Sequence, residues 1–406
     1  MGGPLEGLKV VELAVWVAGP AAGGIMADWG ADVVKIEPPT GDPARQYQRM
    51  LGGDLPTNPV FELDNRSKRS IAVDLRTDAG REIAFELFER ADVFVTNVRA
   101  AALKRLGIDY DAVRTRAPRL VYALITGYGV AGPDADEPAY DIGAFWSRSG
   151  MANLLSPEGG EPPFQRGGMG DHSVGMTTVA AINAALLARH RTGEGQLVST
   201  SLLRQGAYTI GFDLNLKLMW GNQLQLGRRT SMRNPAMNHY VAGDGQRFWI
   251  IGQEAARHWA PLARAVGKPE WIDEYPYPRD RAEHAVEIIA ELDRIFATKS
   301  RDEWAAVFAT EPEFFWAPIN TLDDLLADPQ FFAGGGTVDV PDGGSTTTML
   351  STPADFSATT WAPRALAPRL GEHTADVLRE LGRDDGEITA LVDAGAVALE
   401  TTPEGA

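Results

Sequence analysis

The chain has 406 residues, a formal net charge of −17, 44% apolar and 23% charged residues, and no cysteine. That length accommodates more than one domain around a large core. The acidic balance argues against a general nucleic-acid or lipid-surface binder, and the missing cysteines remove disulfides, thiolate metal sites and cysteine nucleophiles. Residues 1–7 contain no basic region leading into an apolar run, and no uncharged apolar stretch approaches about 18 residues. The expectation is a cytoplasmic protein without a signal peptide or a membrane span.

Short apolar runs alternate with helical patterns over the first 130 residues. Val10–Leu13 predicts a strand, Pro20–Trp29 a helix with proline at its start, and Val33–Ile36 a second strand. Ser70–Leu75 follows as a strand, then a helix opening near Thr77-Asp78 with Ile83, Ala84, Leu87 and Phe88 on one face. Asp92–Val95 and Leu120–Ile125 complete an α/β alternation that implies a parallel sheet covered on both faces. Ligands of such sheets sit beyond the carboxyl ends of the strands, which singles out the loops at Ala14–Gly19, Glu37–Arg45, Leu75–Thr77, Asn97–Arg99 and Thr126–Gly129. A Gly-, Pro- and acid-rich excursion runs from Tyr128 to Gly170, with an amphipathic piece around Asp141–Ser149. A helix from about His172 to His190, a strand at Leu197–Thr200 and a long helix to about Trp220 come next. The composition changes at Gly221–Asn234. Phe248–Ile251 is then a strand and helices dominate to about Leu326, as in a smaller second domain. Turns and short strands fill Phe331–Phe356, helices resume after Pro363, and Thr401–Ala406 is expected to fray.

The strongest chemical signal is Asp171, which follows Gly167-Gly168-Met169-Gly170 at the mouth of an apolar helix. Near a helix N-terminus a carboxylate is expected to stay ionised, and an ionised, positioned carboxylate can attack an activated acyl group. Asp is equally a common helix cap. Tyr140, with Asp141, offers a buried hydroxyl for a developing oxyanion or an ordinary core residue. His172 is a candidate base, although one residue along a helix turns it about 100° from Asp171. The loop Val15-Trp16-Val17-Ala18 lacks the G-x-G-x-x-G of a dinucleotide site, although Glu37 ends the next strand as such a site requires. Its aliphatic and aromatic side chains suit an adenine ring or a pantetheine arm, or core packing. Arg66, Lys68 and Arg69, with Arg45 and Arg76, form a basic cluster fit for phosphates, or a solvated face. The six histidines make no H-x-x-x-H or H-E-x-x-H pattern, so no metal site is expected.

These segments together resemble the class III CoA-transferases, a group that includes formyl-CoA transferases, carnitine CoA-transferases and 2-methylacyl-CoA racemases. The resemblance rests on residues 4–13, Ala18-Gly19-Pro20, residues 30–37, Asn65–Ser70, the Asp171 segment through Gln196, and Leu370–Thr374, in family order along nearly the whole chain. It implies a Rossmann-like large domain built from both chain ends (residues 1–220 and 331–406) with a small α/β domain (221–330) inserted. It also implies an interlocked homodimer. Asp171 takes the place of the family nucleophile, with Tyr140 near the thioester. The CoA contacts fall on Val15, Trp16, Val17, Ala18, Val73, Arg76, Asn97, Val98 and Arg105. Pro38 stands where relatives often carry Arg, so Arg45 or Arg66 is the expected substitute.

The implied reactants are an acyl-CoA donor and a carboxylic acid acceptor, with coenzyme A as substrate and no tightly bound cofactor. Gly252-Gln253-Glu254 replaces the glycine run of formyl-CoA transferases, and residues 145–150 and 232–235 favour an aromatic or branched 2-hydroxyacyl or enoyl acid. A racemase of the same family needs a His where Tyr140 stands, and tyrosine is a poor base near neutral pH. A non-catalytic CoA-binding protein is the remaining alternative.

Overall fold

The computed structural model describes residues 2–50, 52, 57–157, 159–222 and 228–400. Part of the linker expected at Gly221–Asn234 and the end expected to fray at Thr401–Ala406 lie outside the described residues. Two compact units form: Met1–Leu155 with Pro162–Leu214 and Phe332–Ala406, and Ser156–Glu161 with Asn215–Phe331.

The first unit holds a sheet of β1 (Lys9–Leu13), β2 (Asp32–Glu37), β3 (Arg69–Val73), β4 (Val93–Thr96), β5 (Val121–Thr126) and β6 (Leu197–Ser201), all parallel. Register explains its two buried faces. Val10 lies opposite Val33 on β2 and Val93 on β4, and Val93 lies opposite Val121 on β5. These four valines form one apolar row, packed with Met26 and Ile182 from two helices. Their neighbours Val11, Val34, Phe94 and Tyr122 point the other way, onto Ile83, Phe88 and Leu103. Burying a side chain of this size stabilises by roughly 1.5–3 kcal/mol, so a one-residue slip of register would be heavily penalised.

The chain lays β2 and β3 to one side of β1 and then β4, β5 and β6 to the other. The order therefore reverses between β1 and β4, and the loops after these two strands, Ala14–Val17 and Asn97-Val98, share the crevice where open α/β sheets bind ligands. The helix Ala18–Asp28 is buried along its whole length and packs on the helix Met169–Thr192. Glycine allows that approach: a Cβ on Gly175 would stand 3.1 Å from the Ala21 Cβ and 3.2 Å from the Ala18 carbonyl oxygen.

Two expectations change, and one strand is new. The helix carrying Asp171 starts at Met169 rather than His172, because Gly168 takes the left-handed conformation (φ +80°) that turns the loop into the helix. The long helix to Trp220 is two helices, Leu202–Thr209 and Gly211–Trp220, parted at Ile210. Further along the chain, β10 (Thr337–Asp342) and β11 (Ser345–Leu350) form a hairpin, and the two-residue β12 (Val397–Ala398), unforeseen, closes the sheet edge antiparallel to β3.

The second unit carries an antiparallel sheet of β7 (Met237–Val241), β8 (Arg247–Ile251) and β9 (Trp316–Pro318). Helices Ala255–Ala265, Ala285–Phe296 and Arg301–Phe308 supply an aromatic core with Tyr240 and Phe248. Among the described residues no helix is long and apolar enough to cross a membrane.

Candidate active site

Asp171 is the third residue of the helix Met169–Thr192, whose N-cap Gly168 has no side chain to close the first turn. The capping is done by another carboxylate: buried Asp141 accepts from the Gly170 N–H at 3.4 Å and from Gln165 Nε2 at 3.0 Å. Asp171 is thus not the cap, and its carboxylate makes no hydrogen bond or ion pair with any described residue. Burial first, and then the nearby Asp141 charge, push its carboxyl up to about 7. The sequence-based expectation of a simply ionised Asp is corrected: dipole stabilisation is outweighed by desolvation and like charge. Asp141 is also shifted upward, by burial, against the backbone hydrogen bonds that lower it.

His172 turns away from Asp171 and meets Asp64 from the helix Pro59–Asn65, with Nε2 to Oδ1 at 3.0 Å. That hydrogen bond raises the pKa of the half-exposed imidazole. Three carboxylates and one imidazole therefore cluster here. Gly170 permits the packing beneath them, since a Cβ there would lie 2.4 Å from Phe145 Cγ. Asp64 and Gln165 carry no sequence signal; their roles come from contacts made only on folding.

The loop after β1 is fixed from several sides. Asn97 accepts from the Val15 N–H at 3.0 Å and donates to the Val15 carbonyl at 2.7 Å. Trp16 has φ +63°, costly for a bulky residue, and its N–H donates to Asp42 Oδ1 at 3.1 Å. The Trp16 ring stands edge-on to Tyr140 and Tyr47, with centroids 6.0 and 6.5 Å away. Val15, Trp16 and Val17 stay partly exposed, whereas Ala18 and Val73 are buried and Val98 is partly buried. Tyr140, expected to be buried, is 65% exposed.

The basic cluster is largely corrected. Arg66 is buried and grips Asp28 through Nε (3.0 Å) and Nη2 (2.6 Å), while Nη1 donates to the Leu350 carbonyl at 2.8 Å. Lys68 bridges Glu12 (2.7 Å), Asn65 and the Pro20 carbonyl, and Arg69 pairs with Asp32 and Glu380. Arg45 donates to Glu37 and to the Pro368 carbonyl and lies over Phe61. Every guanidinium nitrogen of Arg66 is engaged inside the protein, and Arg45 is likewise committed to Glu37 and Pro368. Arg76, paired with Asp74, and Arg105 remain on the surface. Among the described residues no cluster of three or more His, Cys, Asp or Glu could hold a metal ion.

The sequence profile described as CoA-transferase family III matches residues 5–374. The chain is 33% identical to (R)-2-hydroxy-4-methylpentanoate CoA-transferase of Clostridioides difficile, over 97% of this chain and 99% of that one. It is 31% identical to cinnamoyl-CoA:phenyllactate CoA-transferase of Clostridium sporogenes, over 95% of both. Its fold superposes on the crystal structure of a CAIB/BAIF family protein from Brucella suis with a TM-score of 0.81 and 32% identity, covering 94% of this chain and 100% of that one. A parallel-dominated α/β sheet and a match spanning nearly its whole length lead to one conclusion: the chain belongs to CoA-transferase family III and is a CoA-transferase.

Proposed function

We propose that the protein moves coenzyme A between carboxylic acids through covalent intermediates on Asp171. The observation that carries this reading is a carboxylate held near a helix start with no internal partner. With its pKa pushed up to about 7, it is more basic than an ordinary Asp and still substantially ionised at neutral pH. One Asp171 oxygen attacks the thioester carbonyl of the donor, the C–S bond breaks, and a mixed anhydride and CoA thiolate form. The thiolate attacks the aspartyl carbonyl and expels the donor's carboxylate, leaving an aspartyl-CoA thioester. The acceptor carboxylate displaces the thiolate to form a second anhydride, and the thiolate then attacks the acceptor acyl group, releasing the new acyl-CoA and free Asp171.

In this reading Val15, Trp16, Val17, Ala18, Val73, Asn97 and Val98 receive the adenine and pantetheine parts of CoA, and Arg76 and Arg105 meet its phosphates. Tyr140 donates to the thioester oxygen. Asp64 holds the His172 ring to one side of Asp171. The Gly170 N–H, turned to Asp141, is not counted among the oxyanion donors. The names of the two CoA-transferase relatives favour a branched or aromatic 2-hydroxy or enoyl acid as substrate. The working form is proposed to be an interlocked homodimer in the cytoplasm.

The test is Asp171→Ala assayed with a panel of acyl-CoA donors and carboxylate acceptors. Transfer should fall by about 10³-fold or more while acyl-CoA affinity stays within a few-fold of wild type. Retained transfer would rule out the covalent role. Deuterium entering the α-carbon of an acyl-CoA with no acceptor present would instead favour racemisation.

A further inference from the structure

The second unit contains a cavity of about 410 Å³ lined by Arg233, Asn234, Ala255, Arg279, Arg281 and Ala282. Arg281 is only 2% exposed. Its guanidinium lies against the face of Trp259, 5.0 Å from the ring centroid, and Nη1 donates to the Ala255 carbonyl at 3.0 Å. Nε and Nη2 are buried and have no hydrogen-bond partner among the described residues. These two nitrogens form the edge of the guanidinium that grips a carboxylate or phosphoryl group with two parallel hydrogen bonds. Leaving both unmet while excluding water is costly, and burial accordingly lowers the pKa of the group.

The surroundings reinforce the demand for an anion. Arg233 is exposed and forms no ion pair with a described residue. Arg279 reaches Asp280 and Glu283 only at 3.9 and 3.7 Å. Asp280 is occupied in capping its own helix, its Oδ2 accepting from the Tyr277 N–H at 3.1 Å. Asn234 cannot serve as a counter-group, because its Nδ2 donates to the Gly252 carbonyl and its Oδ1 accepts from the Ala236 N–H.

We propose that this cavity is a binding site for a small oxyanion, a carboxylate or a phosphoryl group, seated on the Nε and Nη2 edge of Arg281 and flanked by Arg233 and Arg279. All of its lining residues belong to the second unit, and the site is expected unchanged in Asp171→Ala.

The test is isothermal titration of the full chain, at constant ionic strength, with inorganic phosphate and separately with succinate. At least one should bind saturably at one site per chain, and the stronger of the two identifies the source of the anion. Arg281→Lys, which keeps the charge but loses the fork, and the surface double variant Arg233→Glu/Arg279→Glu should each weaken binding about tenfold or more. If Arg281→Lys does not fold, the double variant decides alone. Absence of saturable binding by either anion overturns the proposal, and so does binding that both folded variants retain or that CoA abolishes in wild type and variants alike.

Discussion

Two groups of acidic residues in the first unit have opposite fates. Beneath the loop after β1, Glu12 sits between Lys35 (2.9 Å) and Lys68 (2.7 Å), Lys35 also meets Asp42 (3.0 Å), and all four side chains are fully buried. Burial alone would raise the Glu12 pKa, yet the two ammonium groups bring it below the usual value. At the head of the helix Met169–Thr192, Asp171 and Asp141 form no ion pair among the described residues, and both are shifted upward. Matched charges are locked into holding the backbone: Lys35 also donates to the Ala14 carbonyl, and Asp42 accepts from the Trp16 N–H and so fixes the strained loop. An unmatched carboxylate remains free to react. Of the basic cluster that attracts attention in the sequence, Lys68 belongs to the first group, and Arg45, Arg66 and Arg69 are likewise matched by the carboxylates of Glu37, Asp28 and Asp32.

The largest stability effect should come from breaking the matched group. Lys35→Met leaves Glu12 and Asp42 with an uncompensated buried charge, and we expect a loss of about 3–5 kcal/mol in denaturant unfolding. A loss under about 1 kcal/mol would mean that the network is not the scaffold described here.

Removing charge from the unmatched group should do the reverse. The Asp171 pKa is raised on folding, so its ionisation favours the unfolded chain. Its unfavourable contribution is absent below the unfolded value, near pH 4, and grows as pH rises to about 7. Asp171→Asn should match wild type in the acid range and become more stable toward pH 8, by up to a few kcal/mol, less what solvent access to the half-buried carboxylate removes. Thermal melts across that range check it, and a difference independent of pH would contradict it. The rate of the wild-type enzyme should correspondingly rise through about pH 7.

Much of the parallel sheet is legible in the chain because its strands are continuous apolar runs, such as Val33-Val34 and Leu120–Ile125, buried on both faces. The strand β12 is not legible: two residues have no period, and their pairing with Val73 and Ala72 is settled across more than three hundred positions. Likewise Arg66 and Lys68 stand out, but their partners Asp28 and Glu12 lie on other elements, so spacing cannot separate a buried pair from a phosphate clamp. The glycines before Asp171 announce a special loop. That the Gly170 amide of its helix is met by Asp141 from a distant stretch of chain, while the Asp171 carboxylate finds no partner among the described residues, is visible only in three dimensions.

The smallest effect concerns the loop itself. Asn97→Ala removes both hydrogen bonds to Val15, and KM for acyl-CoA should rise about tenfold with kcat changed far less, consistent with about 1–2 kcal/mol of lost positioning. An unchanged KM would detach this loop from CoA binding.

The most direct measurement is peptide mass spectrometry of the protein incubated with an acyl-CoA donor and quenched with hydroxylamine. A hydroxamate on Asp171, formed only when the thioester is present and lost when a carboxylate acceptor is added first, is the result this mechanism requires. Transfer that proceeds at full rate while Asp171 stays unmodified under every donor would contradict it.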